Sequence, residues 1–338
     1  MRQSVARLVD TAVRLSELQF PTDRVHIART RLVFIHLDNL LHFAKADRDG
    51  RVDGLVAAYL PDALVLLLLR KGELATAVGM TEGGRLVLPI AEALDQVRAE
   101  AERSELLYAD APLEQLAWMY ASCATPAMPR HVDPLHPEQL FPALRTERFA
   151  GVLELISNGR VSYLRFEGGE FARGYFAGRA PSVSVAKYIE TLYEPASDGT
   201  PPRMAATVFP AADDLPMQAA PELIETYRRL FWAIVEAADA EAAGQATKHA
   251  RRIRDLLSNV HQPLTAIGRP LDQEAADVVT TPEQLTYALS DWTLQLLEQV
   301  EIVAPGAAAE VLKRATHDQR YVLQKAGFYD RLPWAVAW

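Results

Sequence analysis

Gly54-Leu55-Val56 … Lys71-Gly72-Glu73-Leu74-Ala75 and Gly151-Val152-Leu153 … Gly168-Gly169-Glu170-Phe171-Ala172 are one pattern written twice, at the same offset from Gly54 to Gly151 as from Gly72 to Gly169. In each, an apolar run opens on Gly, a turn follows, a second apolar run leads to a Gly turn, and Glu begins a third run. Gly54 to Leu60 is read as a strand, Pro61-Asp62 as its turn and Ala63 to Arg70 as its partner. Leu74 to Met80 is the third strand, and Glu82-Gly83-Gly84 a loop. In the second copy, Gly151 to Ser157 and Val161 to Phe166 flank Asn158-Gly159, the dipeptide best suited to a tight hairpin. Phe171 to Ala177 then completes the meander. Gly72 and Gly169 stand where positive φ is cheap only for Gly.

Outward from this unit the order repeats. Leu37 to Ala46 and Glu138 to Thr146 are short helices before each meander. Pro89 to Arg103 and Val183 to Tyr193 are helices after it. Leu106 to Ala109 and Ala205 to Phe209 are last strands, followed by helices at Pro112 to Cys123 and Pro221 to about Ala243. A duplicated unit must fold the same way both times. The fold class is therefore α+β: two tandem repeats, each a small antiparallel sheet flanked by helices, and then an all-α C-terminal bundle. The expected segments are 1–30 (a helix over Arg2 to Leu18 and a lead-in), 31–123 (first repeat), 124–137 (a stiff Pro-rich linker), 138–243 (second repeat) and 244–338 (helices at Gln245 to Val260, Pro282 to Glu301 and Gly306 to Gly327). Thr281-Pro282-Glu283-Gln284 has the form of a capping box.

Composition narrows the function. The chain has 338 residues, 49% hydrophobic and 23% charged, with formal net charge −9. That balance disfavours non-specific binding to nucleic acid or anionic lipid. Arg2, Arg7, Asp10 and Arg14 interrupt any export signal at the start, and the apolar run Ala63 to Leu69 is too short to span a bilayer. With Cys123 as the one cysteine, no intramolecular disulfide can form. A cytoplasmic chain is expected, with no nucleic-acid partner and no membrane insertion.

Leu40-Leu41, Gly54-Leu55-Val56 and Gly72-Glu73-Leu74-Ala75-Thr76-Ala77, with their counterparts Leu140-Phe141, Gly151-Val152-Leu153 and Gly169-Glu170-Phe171-Ala172-Arg173-Gly174, resemble the PATAN-type domain family, named for the amino-terminal region of a cyanobacterial response regulator. Gly174 departs from the Ala that the family prefers, and the resemblance covers about residues 31–240. It implies bacterial signalling through protein–protein interaction, with no catalytic residues to carry over.

Among candidate sites, Asp47 to Gly54 imitates a calcium loop but has Arg51 where the fifth position needs an acid or amide, so it reads as a solvated turn. His131, Asp133 and His136 lack a fourth ligand, and His36 and His42 need not converge, so neither group is read as a metal site. Arg148, Arg165 and Arg173 could bind a nucleotide or another small anion between the repeats. Arg165 replaces an aliphatic residue, Leu68, at the matching place. Lys248, Arg251, Arg252 and Arg254 form a basic stripe, read either as a partner site or as pairing with Glu236, Asp239 and Glu241, with Arg251 reaching Asp255. Trp334 and Trp338 belong to an aromatic tail that either docks on its own domain or meets a partner. Cys123 reads as a small buried hydrophobe. No catalytic motif and no cofactor fingerprint is present. The expected function is a non-catalytic signalling or scaffold protein with a protein partner, a second copy of the chain included. The alternative is a sensor for a small anionic ligand.

Overall fold

The computed structural model describes residues 14–46, 52–124, 130–134, 137–242, 244–273 and 278–334. The first copy runs β1 (Arg24–Arg31), α1 (Leu37–Ala46), β2 (Gly54–Tyr59), β3 (Ala63–Arg70), β4 (Glu73–Thr81), β5 (Gly84–Leu88), α2 (Ile90–Ala99), β6 (Glu105–Asp110) and α3 (Leu113–Ala121). The second runs β7 (Arg130–Val132), α4 (Pro137–Thr146), β8 (Gly151–Ser157), β9 (Arg160–Glu167), β10 (Glu170–Phe176), α5 (Val185–Tyr193) and β11 (Met204–Phe209). Helices α6 (Pro221–Glu241), α7 (Ala246–Leu257), α8 (Pro263–Ile267), α9 (Pro282–Val303), α10 (Ala307–Thr316) and α11 (Arg320–Lys325) complete the chain.

The two sheets share one topology. Their strand orders are β1-β6-β2-β3-β4-β5 and β7-β11-β8-β9-β10, so each strand of the second sheet has a counterpart in the first, and β5 is the addition. Register agrees residue by residue. Gly54 faces Leu69 and Gly151 faces Phe166. The third strand of each meander bulges at the same place, between the pairs Leu74–Leu69 and Thr76–Leu68 in one copy and Phe171–Phe166 and Arg173–Arg165 in the other. Ala75 and Ala172 are thus the extra residues of matching β-bulges, which explains a small residue there twice.

The repeated glycines answer to backbone approach. Gly72 (φ +75°) and Gly169 (φ +88°) each sit under the last turn of the helix before the meander. A Cβ on Gly72 would run into the Ala44 carbonyl, and one on Gly169 would lie 2.7 Å from the Arg145 Cα. The Gly72 N–H donates to Val52 O and the Gly169 N–H to Phe149 O, the same bond in both copies. The repeated Glu closes the arrangement from outside: Glu73 pairs with Lys45 and Glu170 with Arg145, each a base in the helix's last turn. Asn158 (φ +46°) and Gly159 (φ +82°) take the left-handed conformations that a two-residue hairpin requires.

Each sheet buries one face under its own helices. Val56, Ala58, Val65, Leu67 and Ala77 pack with Leu37, Leu40 and Ala44 of α1 and Ala93 and Val97 of α2. Leu153, Leu155, Leu164 and Phe166 pack with Leu140 and Leu144 of α4 and Tyr188 and Leu192 of α5. The opposite faces are buried too: Leu55, Leu64, Leu66 and Val78 in the first sheet, Val152, Ile156, Val161 and Tyr163 in the second. Both copies lie in one compact unit ending near Pro216, and the residues from Met217 on form another with Pro89–Ala91.

The helical unit has its own core. Phe231 of α6 stacks on Trp292 of α9 at 3.9 Å between ring centroids, and the Trp292 indole N–H donates to Ala250 O of α7. Thr281 and Gln284 form the expected capping box. Helix α6, placed with the second repeat on sequence, sends Ile224, Tyr227, Leu230 and Ile234 into this core.

Several expectations are corrected. Most of the helix expected over Arg2 to Leu18 lies outside the described residues, and Leu15–Glu17 is a 3-10 turn. The linker expected at 124–137 contributes β7, a short edge strand in which Arg130-His131-Val132 pairs with β11. The loop expected after Met80 tightens into a turn, which lets Gly84–Leu88 pair with β4 as β5. The helix expected over Gly306 to Gly327 breaks into a 3-10 turn at His317–Gln319.

Gly72→Ala and Gly169→Ala each meet both a φ penalty and a backbone clash. Gly199 (φ +81°) has open space, so Gly199→Ala carries the φ term alone. Urea melts should show about 1 kcal/mol lost at Gly199 and clearly more, on the order of 2–4 kcal/mol, at Gly72 and Gly169. Equal losses at all three sites would mean that the helix–turn contact is not what selects these glycines.

Candidate functional site

Two apolar sheet faces buried in one unit leave no room for an uncompensated charge, yet each contributes one. Arg85 of β5 and Glu154 of β8 are 7% and 2% exposed. The Arg85 guanidinium donates to both Glu154 oxygens, at 2.6 and 2.8 Å, and to Ser122 Oγ at 3.1 Å. A bidentate fork satisfies a carboxylate more fully than an ammonium could. Burial opposes the Arg85 charge, but Glu154 outweighs it and raises the guanidinium pKa further. Tyr163 lies in the same cluster, and its hydroxyl is pushed far up, first by burial and then by the Glu154 carboxylate. The Cys123 thiol is pushed up to about 11 by burial, which outweighs the nearby Arg85. This cluster joins the copies, and burial keeps its thiol protonated.

A strap in front of β1 stitches the same seam. Gln19 N–H donates to Gly159 O and Val161 N–H to Gln19 O, while the Tyr59 hydroxyl donates to Leu18 O and Gln115 Nε2 to Pro21 O. Glu17 pairs with Arg203 of the second copy, and Arg29 of the first donates to Ser16 O. Beneath the strap, Leu18, Gln19, Phe20 and Thr22 roof a cleft of about 310 Å³ whose walls are Arg29, Tyr59 and Leu107 of the first copy and Ala177 and Gly178 of the second. The Arg29 guanidinium lies 4.0 Å over the Tyr59 ring and pairs with Glu105.

The third feature is an edge. β4 has β5 beside it, but β10 has β9 on one side only. Among the described residues, β10 makes no backbone hydrogen bond beyond those to β9. Glu170, Phe171, Ala172 and Arg173 are exposed in sequence.

The structure brings together some of the residues that the sequence singled out. Arg165 and Arg173 are direct cross-strand partners, each with an acid of its own: Glu167 at 3.7 Å and Glu114 of α3 at 3.3 Å. Glu114 also accepts from the Tyr175 hydroxyl at 2.8 Å. Arg148 is exposed in the turn after α4, with φ +49°, and does not line the cleft. Arg251 and Arg252 are exposed and form no ion pair among the described residues. Arg254 pairs with Asp255 and donates to Gly268 O, so the expected Arg251–Asp255 pair is replaced by its neighbour. Asp239 accepts from the Thr247 N–H and hydroxyl instead of from the basic stripe, and Glu241 pairs with Arg314. Trp334 packs half-buried against the helical core, and Trp338 lies outside the described residues. So does His136, and among the described residues no three His, Cys, Asp or Glu side chains are grouped to hold a metal ion.

Sequence reading missed Arg85, Glu154, Arg29 and Tyr59. The one available signal was Glu154 itself, a charge in the middle of Gly-Val-Leu-Glu-Leu-Ile where the first copy has Ala57. Set against known proteins, the chain matches no family model, and neither a curated protein nor a solved structure matches it. No helix among the described residues is long and apolar enough to cross a membrane.

Removing one member of the buried pair strands the other. Arg85→Met or Glu154→Leu alone should cost on the order of 3–5 kcal/mol in urea unfolding, and the double variant should recover most of the loss. The buried thiol supplies a second check. Its folded pKa of about 11 exceeds the unfolded value of about 8.5, so the unfolded chain releases the proton first and stability falls as pH rises from about 8.5 to 11. Cys123→Ala should flatten that part of the profile, and iodoacetamide at pH 8 should label Cys123 only after urea unfolding.

Proposed function

We propose that this chain is a non-catalytic bacterial signalling or scaffold protein that acts in the cytoplasm through protein–protein contact. One observation carries the reading. β10 presents an open strand edge at the position where the first copy seats β5. An uncovered edge is a template for another strand, and proteins that have no use for one normally block it. The edge carries a bulge at Ala172 and two charges, Glu170 and Arg173, that are already paired, but it has no Pro and its Phe171 is 41% exposed. The resemblance of the duplicated turn-and-bulge segment to PATAN-type domains points the same way. The repeats supply rigid, pre-formed surfaces, which keeps the ordering cost of association low.

The matching experiment places a proline in the edge. Ala172→Pro removes a backbone N–H at a bulge, where it does least harm to the sheet. Immobilised wild-type chain should retain specific proteins from lysate of the source cells, and the Ala172→Pro chain, with an unchanged circular dichroism spectrum, should lose at least one of them about tenfold. Identical retention by both would defeat the edge as the contact surface.

A further inference from the structure

The cleft beneath the strap is roofed, walled by both copies, and contains a guanidinium that its neighbours do not exhaust. Arg29 commits its Nε–H to Glu105 and one Nη1–H to Ser16 O. Three of a guanidinium's five N–H donors then remain. The guanidinium carbon lies 4.0 Å from the centre of the Tyr59 ring, a cation–π contact that restrains the group. Tyr59 spends its proton on Leu18 O. The rest of the lining divides cleanly. Leu18, Phe20, Leu107 and Ala177 are apolar. Gln19 and Thr22 are polar, and Gly178 (φ +75°) brings bare backbone to the wall.

We propose that this cleft binds a small aromatic or branched-aliphatic carboxylate, its anionic end on Arg29 and its apolar body against Leu18, Phe20 and Leu107. Three considerations select that class. The volume, about 310 Å³, is at the small end of the usual range for ligand sites, about 300–1,000 Å³. Among the described residues of the lining Arg29 is the one cationic side chain and Glu105 stands against it, so a polyphosphate would meet too little positive charge. A planar carboxylate matches the fork geometry of guanidinium donors, which a compact cation would not favour. This anion site is distinct from the one expected at Arg148, Arg165 and Arg173. Because roof and walls come from the strap and both copies, occupancy would tighten the seam and raise the melting temperature by mass action.

The experiment is calorimetric titration of the full chain with 2-naphthoate, with 2-naphthamide and ATP as comparators. One saturable site is expected for 2-naphthoate, with Kd in the range of roughly 10–100 μM, and at least tenfold weaker binding of 2-naphthamide. Arg29→Met should abolish the distinction between acid and amide. Leu107→Trp fills the cleft from its wall without touching the Arg29 network, and should abolish binding while the chain remains folded by circular dichroism. If Arg29→Met fails to fold, Leu107→Trp decides the location and the acid–amide pair decides the chemistry. No saturable heat with 2-naphthoate, equal affinity for the amide, tighter binding of ATP, or unchanged binding in Leu107→Trp would each overturn the proposal.

Discussion

The Arg85–Glu154 contact is the condition under which the two sheets can share an interior. Each of the flanking faces is aliphatic, and each would be destabilised by a lone charge far more than by the loss of any single methyl group around it. Once the two groups meet with both carboxylate oxygens satisfied, the sheets have one permitted register against each other, because a shift of one residue along either strand would strand both ions. Apolar surface alone fixes burial but not register, since Leu64, Leu66 and Leu68 are interchangeable as greasy contacts. The ion pair supplies the distinction. It also explains an asymmetry within the duplication. Glu154 occupies the place of Ala57, and Arg85 stands on β5, the strand that the second copy lacks. The copies have diverged into complementary halves, each carrying one member of the pair.

The same divergence accounts for the open edge and the neighbouring arginines. In the first sheet, β5 beside β4 leaves Leu68 and Thr76 inside. In the second, the equivalent pair is Arg165 and Arg173, at the boundary where no fourth meander strand follows. A position that faces partial solvent tolerates a long side chain whose stem packs and whose head reaches water or an acid. Glu167 and Glu114 are the acids used. The arginines therefore read as a solution to an exposed boundary, and the cleft's cation comes from β1, where sequence gave no reason to look.

Much of the fold was legible because it rests on local constraints. Gly72 and Gly169 declare a backbone that no side chain fits, Asn158-Gly159 declares a hairpin, and Thr281 with Gln284 declares a helix start. Each can be read without knowing what lies nearby. β1, β5 and β7 were illegible for the complementary reason. Their exposure is irregular, as in Arg24–Arg31 and Gly84–Leu88, and edge strands take their structure from the neighbour that offers hydrogen bonds. The break at His317–Gln319 likewise leaves no Gly or Pro in the sequence to mark it.

The cleft was the least legible feature, and the cause is distance along the chain. The stretch from Leu18 to Arg29 must meet Tyr59, Leu107 and Gly178, which lie far along the chain, so no single window of sequence shows the site. What brings them together is the strap, whose Gln19 takes a place beside Arg160 of the second copy while Leu18 accepts from Tyr59 of the first. The strap is held by buried Leu18 and Phe20 as well as by hydrogen bonds to both copies. It also links the two surfaces through one element, because the strand that receives the strap, β9, is the strand on which β10 is built. The edge strand is tied to the first copy as well, because Glu114 of α3 holds both Arg173 and the Tyr175 hydroxyl of β10.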